Sequence, residues 1–347
     1  MSIPAGPADL DATWIRRALD GDADAQASEI RSVRVEVIGV GYGLEGTVAR
    51  VTTVEASGRA ATLVAKWCRP EAGAREARFY REVAPHLGID VPRLRGAFVE
   101  AGLALLLLED VAPSRQGDAI VGATPAEARL LMDVAGRLHA RFWGLAGVLP
   151  TASLPRWGTD PVGIADRTRA LLPRFLERWG SALTPGVRRA ASGLPKALSA
   201  AYGRLSAAPA TVIHGDLHLD NVLFRPDGTP VLIDWTNAAL GPGAVDVVHL
   251  LVEGMTCESR RADESALLDR YLGALSLRGT RYDAAKFGSD VDDALAVAFA
   301  GAVRCKEPGP GSPARLGPVV ENLVRNVTSM VQDRLDRNPP RRGSASE

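Results

Sequence analysis

Near Asp110 the chain changes texture, and that change constrains its architecture more than any other feature. Before it, β-branched or apolar runs at Val33–Ile38, Val48–Glu55 and Ala61–Trp67 are separated by glycine-containing turns, and shorter runs follow at Ala97–Val99 and Leu103–Leu108. One helical pattern, from about Ala74 to Leu87, interrupts these strands, and a short helix over about Asp9–Asp20 precedes them, with Leu10, Trp14, Ala18 and Leu19 on one face. Beyond Asp110 the helical period takes over. Thr124-Pro125-Ala126-Glu127 is a capping box with proline at the first helical position. Leu131, Val134, Leu138, Phe142 and Leu145 then recur at helical spacing, and further helical stretches lie around 165–179, 186–206, 246–255, 263–276, 289–305 and 319–335. One hairpin stands among them: Val222–Phe224, a turn through Arg225-Pro226-Asp227-Gly228, then Val231–Ile233. Strands grouped ahead of helices predict an α+β, two-lobed chain. The expected parts are an N-terminal helical arm (1–24), a β-rich lobe (25–111), a helical lobe (112–336) and a disordered proline-, arginine- and serine-rich tail (337–347).

Charge narrows the partners. The 41 basic and 41 acidic residues cancel, so the clustered basic surplus that nucleic acid requires is not advertised, nor an acidic surplus suited to a polycation. Cys68, Cys257 and Cys305 are odd in number and widely spaced, which fits neither a disulfide framework nor a metal cluster. The N-terminus shows no basic segment followed by a long apolar one, and the most apolar run, Leu103–Leu108, is far too short to span a bilayer. A reducing, cytoplasmic home without membrane contact is expected.

Within the β-rich part, Gly41-Tyr42-Gly43-Leu44-Glu45-Gly46 is followed by Thr47–Val54, which reads as strand. A dinucleotide-binding reading would need a helix there. Strand–glycines–strand is instead the arrangement of a loop that folds over nucleotide phosphates, although an ordinary glycine hairpin fits the same residues. Lys66 ends the apolar run Leu63–Ala65, where a lysine can simply reach out to solvent. The next helix argues otherwise. At 100° per residue Phe79, Tyr80, Val83 and Leu87 fall within about 60° of Glu76, while Arg75, Arg78, Arg81 and Glu82 fall on the far side. An unpaired carboxylate in the apolar stripe is costly, and Lys66 on the neighbouring strand would resolve that cost. Glu82 is expected to be solvated.

The densest constellation is His214-Gly215-Asp216-Leu217-His218-Leu219-Asp220-Asn221, with Ile233-Asp234-Trp235 beyond the hairpin. An Asp and an Asn five apart, then a second Asp past a short hairpin, is the spacing of a kinase catalytic loop. In that reading Asp216 orients a substrate hydroxyl and accepts its proton, while Asn221 and Asp234 offer oxygen ligands to Mg²⁺. Two other readings compete: a transition-metal cluster of His214, Asp216, His218 and Asp220 on alternate positions of an extended strand, and a hydrolase, for which no G-x-S-x-G elbow is present. His214 is expected to pack and hydrogen-bond the loop. His218 is open between a structural role and substrate contact. Asp246 is expected to cap the helix that follows it, Arg137 and Arg141 to lie on a solvated helix face, and Trp143, Trp157 and Trp179 to be core.

These residues resemble the aminoglycoside phosphotransferase and choline kinase-like superfamily, whose H-G-D-x-x-x-x-N and I-D-W/F motifs appear as His214–Asn221 and Ile233–Trp235. Glu76–Tyr80, Leu107–Asp110 and Leu138–Trp143 resemble its ecdysteroid-kinase-like branch more closely. The resemblance covers roughly residues 30–300 and implies a bilobal protein-kinase-like fold with ATP in the cleft. It further implies the roles of Lys66, Glu76, Asp216, Asn221 and Asp234, and adenine contacts from the backbone near Glu109 and Val111. The glycine before Asp216 stands where protein kinases carry the arginine that reads activation-loop phosphorylation, and no A-P-E segment follows Asp234.

The expected activity is ATP- and Mg²⁺-dependent phosphorylation of a hydroxyl on a small molecule, by a monomer or weak dimer. The segment Thr236–Leu240 is neutral, and the tryptophans suit a flatter, less polar alcohol than a polycationic antibiotic. The alternatives are a catalytically silent nucleotide-binding protein and an aminoglycoside-type resistance kinase.

Overall fold

The computed structural model describes residues 2–20, 30–39, 46–144, 151–305, 308–309 and 312–337. The expected glycines Gly41 and Gly43, the helical position of Leu145 and the tail beyond Arg337 lie outside the described residues.

Five antiparallel strands build the first lobe: β1 (Ile30–Ile38), β2 (Thr47–Glu55), β3 (Ala60–Cys68), β4 (Leu94–Glu100) and β5 (Leu103–Glu109), in the order β1-β2-β3-β5-β4. Both faces of this sheet are covered, which is why β5 is a continuous apolar run and not an alternating one. Leu105 and Leu107 join Ala65, Trp67 and Ile15 on one face, where α1 (Ala12–Ala18) packs. Leu106 and Leu108 face the other way, into the core shared with α2 (Pro70–Glu82) and the second lobe. Each fully buried leucine contributes about 1.5–3 kcal/mol. The Trp67 indole donates to the Pro4 carbonyl at 2.9 Å and ties the N-terminal segment to the sheet.

The helix expected to run on to Leu87 stops at Glu82, and Ala84–His86 forms a single 3-10 turn. Pro85 accounts for the break: its ring cannot donate a hydrogen bond and clashes with the preceding helical turn.

The second lobe comprises α3 (Pro125–Phe142), α4 (Pro161–Trp179), α5 (Pro185–Ser206), α6 (Ala244–Glu253), α7 (Cys257–Ser276), α8 (Ala284–Arg304) and α9 (Leu316–Arg337). The Thr124–Glu127 capping box opens α3 as expected. Two small sheets are set into this helical body. β7 (Ala210–Ile213) pairs with β10 (Ala239–Pro242), and β6 (Arg115–Gln116) pairs with β8 (Val222–Phe224), which pairs with β9 (Pro230–Leu232). The β7–β10 ladder matches Ile213 with Ala239 and so brackets residues 214–238 at both ends. Strand β6 carries the linker out of the first lobe directly onto the hairpin of the second. Trp143, Trp157 and Trp179 pack against the main core. Among the described residues no helix is long and apolar enough to cross a membrane.

Candidate active site

Lys66 sits on β3 opposite Val48 and Leu106, with its side chain on the face that α2 covers. Its ammonium donates to Glu76 Oε2 at 2.7 Å and to Asp234 Oδ1 at 2.9 Å. Glu76 is fully buried, as its place in the apolar stripe of α2 requires, and Glu82 is exposed. Burial pushes the Glu76 carboxyl up, and the Lys66 charge opposes that shift. Burial alone would lower Lys66, yet the charges of Glu76 and Asp234 more than offset it and hold the ammonium above its ordinary range. Removing Lys66 would leave the buried Glu76 charge uncompensated.

The loop after β7 turns on Gly215, whose φ of +79 is left-handed. A Cβ there would lie 2.4 Å from the Asn237 carbonyl oxygen. Asp216 follows, then a single 3-10 turn, Leu219–Asn221. The Asn221 amide donates to the Asp216 carbonyl at 2.9 Å and also lies 3.1 Å from His218 Nε2. The His218 ring lies 3.8 Å from the Asp216 carboxylate, a charge contact too long for a direct hydrogen bond. Burial would raise the Asp216 carboxyl, but the neighbouring His218, with His249 and His214, holds it well below the usual carboxylate range. His218 moves the opposite way: burial lowers it, Asp216 outweighs burial, and the imidazole is pushed up to about 9.

Because residues 219–221 turn instead of extending, His214, Asp216, His218 and Asp220 do not converge. His214 faces the Ile233 carbonyl at 2.9 Å and packs on Trp235, while Asp220 accepts from the Ala119 N–H and pairs with Arg315 at 2.7 Å. Among the described residues no group of three His, Cys, Asp or Glu side chains is arranged to hold a metal ion.

Asp234 ends the hairpin with φ 60 and ψ 69, the one described non-glycine residue with positive φ. Such a conformation costs on the order of 1–3 kcal/mol and persists only where neighbours over-determine it. Here the buried Trp235 ring stacks on Phe79 at 4.3 Å and 12°, which keys the residue after Asp234 into α2 one turn from Glu76. Two neighbours in the segment expected merely to be neutral also reach the site. Thr236 Oγ1 lies 2.8 Å from Asp234 Oδ1 and 3.1 Å from Glu76 Oε2, and the Asn237 amide donates to Asp216 Oδ2 at 3.4 Å. Sequence reasoning missed both, since a threonine and an asparagine in a loop carry no pattern.

Asp246 departs from expectation. It does not cap α6, whose N-cap is Gly243; it lies inside the first turn, fully buried. Its carboxylate accepts from the backbone N–H of His214 at 2.7 Å and of Gly215 at 2.9 Å, and meets His139 Nε2 at 3.2 Å. The other His139 nitrogen lies 2.9 Å from the Tyr271 hydroxyl. The signal available in the sequence was His139 itself, a polar residue on the apolar stripe of α3. Arg137 and Arg141 are exposed as expected, and Arg141 also donates to the His86 carbonyl.

Gly46 has φ +125, and a Cβ would meet the Trp67 carbonyl oxygen at 2.4 Å. Glu109 closes β5 at the lobe boundary, where its N–H donates to the Arg93 carbonyl at 2.8 Å, and Val111 is buried just beyond. Lys66, Glu76 and Asp234 are thus in direct contact, as are Asp216, His218 and Asn221, while Glu109 and Val111 stand at the linker.

A model of the phosphotransferase enzyme family matches residues 36–287, well over half of the chain. No curated protein matches the sequence significantly. Among solved structures, a spectinomycin phosphotransferase in complex with ADP and spectinomycin superposes with a TM-score of 0.58 at 12% identity, covering 93% of this chain and 98% of that one. An aminoglycoside phosphotransferase from Alicyclobacillus acidocaldarius gives 0.56 at 13% identity, covering 97% and 98%. The GDP complex of wild-type aminoglycoside 2′-phosphotransferase IIIa gives 0.51 at 15%, covering 92% and 97%. At such identities the likeness speaks for the fold, which is the bilobal one that the sequence implied.

Proposed function

The chain belongs to the phosphotransferase enzyme family, and from that premise we propose that it transfers the γ-phosphoryl group of ATP to a hydroxyl of a small molecule. The observation that carries this reading is Lys66, held 2.7 Å from Glu76 and 2.9 Å from Asp234, which lies 168 residues further along the chain. A lysine fixed in that way is poised over nucleotide phosphates. The glycine-rich segment that holds Gly41, Gly43 and Gly46 would cover the phosphates, and the backbone near Glu109 and Val111 would meet the base.

The donor set fits Mg²⁺. Asp234 and Asn221 offer hard oxygen donors, with only Oδ1 of Asp234 engaged by Lys66 and Thr236, and Mg²⁺ prefers such ligands beside water and phosphate. When bound, the ion neutralises charge that develops on the transferring group. Asp216 does the remaining work: its carboxylate, kept ionised chiefly by the neighbouring His218, orients the acceptor hydroxyl and takes its proton. The acceptor oxygen bonds to the γ-phosphorus, the bond to the β–γ bridging oxygen breaks, and ADP leaves. The acceptor is proposed to be a small molecule because the protein-kinase arginine before the catalytic aspartate is replaced here by Gly215. The comparisons do not single out the ecdysteroid-kinase-like branch, and Trp143, Trp157 and Trp179 pack against the main core, so the acceptor is proposed no more finely than a small-molecule hydroxyl.

The test is a mass-spectrometric screen of alcohols, including steroids, sugars, antibiotics and amino alcohols, for products one phosphoryl group heavier. Wild type should yield such a product with Mg·ATP, and Asp216→Asn should lower its rate by about 10²–10⁴-fold. Undiminished transfer by Asp216→Asn would refute the assigned base.

A further inference from the structure

Thr236 stands where two carboxylates approach one ammonium. Its Oγ1 is 2.8 Å from Asp234 Oδ1, 3.1 Å from Glu76 Oε2 and 3.4 Å from Lys66 Nζ. A hydroxyl has one proton, so Thr236 donates to one carboxylate at a time while it accepts from Lys66. Asp234 Oδ1 is therefore anchored from two sides, by Lys66 and by Thr236. Its Oδ2 has no hydrogen-bond partner among the described residues, and the side chain is 42% exposed. The left-handed backbone of Asp234 fits such an anchor, because aspartate visits that region when its short polar side chain is hydrogen-bonded locally, as it is to Thr236.

We propose that Thr236 is a positioning residue that fixes Asp234 through Oδ1 so that Oδ2 is presented to a divalent cation accompanying the nucleotide. The proposal rests on the function stated above. Neighbours that orient a ligating carboxylate typically change metal affinity by about 10–100-fold when removed. Valine has the shape of threonine without the hydroxyl, so Thr236→Val removes the anchor and little else, and Thr236→Ser restores it. Donation to Asp234 holds the carboxylate in place, and Glu76 Oε2 on the other side keeps the hydroxyl seated between the two acids.

The experiment uses Mn²⁺ as the probe, followed by electron paramagnetic resonance on the full chain with a non-hydrolysable ATP analogue. Alongside it, analogue affinity is measured by calorimetry without any divalent ion. Thr236→Val should weaken Mn²⁺ binding by about 10–100-fold, leave metal-free analogue affinity within about threefold and keep a cooperative thermal transition. Thr236→Ser should return to within about threefold of wild type. Wild-type Mn²⁺ affinity in Thr236→Val overturns the inference while leaving the proposed function intact. Wild type that binds the analogue but no Mn²⁺ overturns the metal reading of Asp234 itself, a different failure. A valine variant that does not fold shifts the decision to serine against alanine at the same position, where equal Mn²⁺ affinities overturn the inference.

Discussion

Asp246 accepts the backbone N–H of His214 at 2.7 Å from within the first turn of α6, and by doing so holds the loop that presents Asp216. The same carboxylate takes the Gly215 N–H and faces His139, so one buried charge has three donors. Burial would raise this carboxyl, and His139, with His214, keeps it below its ordinary range. Asp246→Ala strands two amides and an imidazole at once. The expected loss is about 3–5 kcal/mol, the range for breaking a buried charged network. Denaturant unfolding is the measurement, with Asp246→Asn as partial rescue because its carbonyl oxygen still accepts. A change below about 0.5 kcal/mol, the range of an ordinary surface substitution, would show that the loop is held by other means.

The His218–Asp216 pair makes stability depend on pH. An imidazole raised to about 9 in the folded chain has an ordinary value of about 6.5 when unfolded. The folded state binds that proton more tightly, so the stabilisation is complete below about pH 6.5 and lost as the pH rises through about 9. The melting-temperature advantage of wild type over His218→Gln should shrink steadily across that window. An advantage that stays constant through alkaline pH contradicts the pairing.

Two left-handed glycines make a matched comparison. Gly215 has φ +79 with the Asn237 carbonyl in the way of a Cβ, whereas Gly228, at φ +84 in the hairpin turn, has open space around it. Alanine at 228 should cost about 1–2 kcal/mol, the backbone term alone, with phosphoryl transfer retained. Alanine at 215 must also displace Asn237, which touches Asp216, so it should cost more and lower the turnover rate. Equal effects on both stability and rate would mean that the contact with Asn237 is dispensable.

Much of this site could be read in the sequence because its chemistry is local. Asp216, Asn221 and Asp234 lie within one loop and one hairpin, so their spacing records their geometry directly. Lys66 and Glu76 were readable for a different reason: a carboxylate in the apolar stripe of a helix demands a partner, and β3 lies next to α2. Asp246 was misplaced because an acid near a helix start has two outlets, its own helix or a loop across the fold, and only tertiary packing chooses between them. Thr236 and His139 act through partners more than 100 residues distant in sequence, Glu76 for one and Asp246 for the other. The two residues of β6 escaped notice because so short a strand exists only through its pairing with β8.

That short strand has a mechanical consequence. Arg115 and Gln116 are zipped to Phe224 and Leu223, so the linker becomes part of the second lobe as soon as it leaves the first. Its other end is clamped too, since Arg50 of β2 grips Asp110 at 2.7 Å. The unclamped stretch of the linker is therefore only Val111 to Ser114. The lobes also meet away from it, where Lys66 pairs with Asp234 and Phe79 stacks on Trp235, so any opening of the cleft must part those contacts as well.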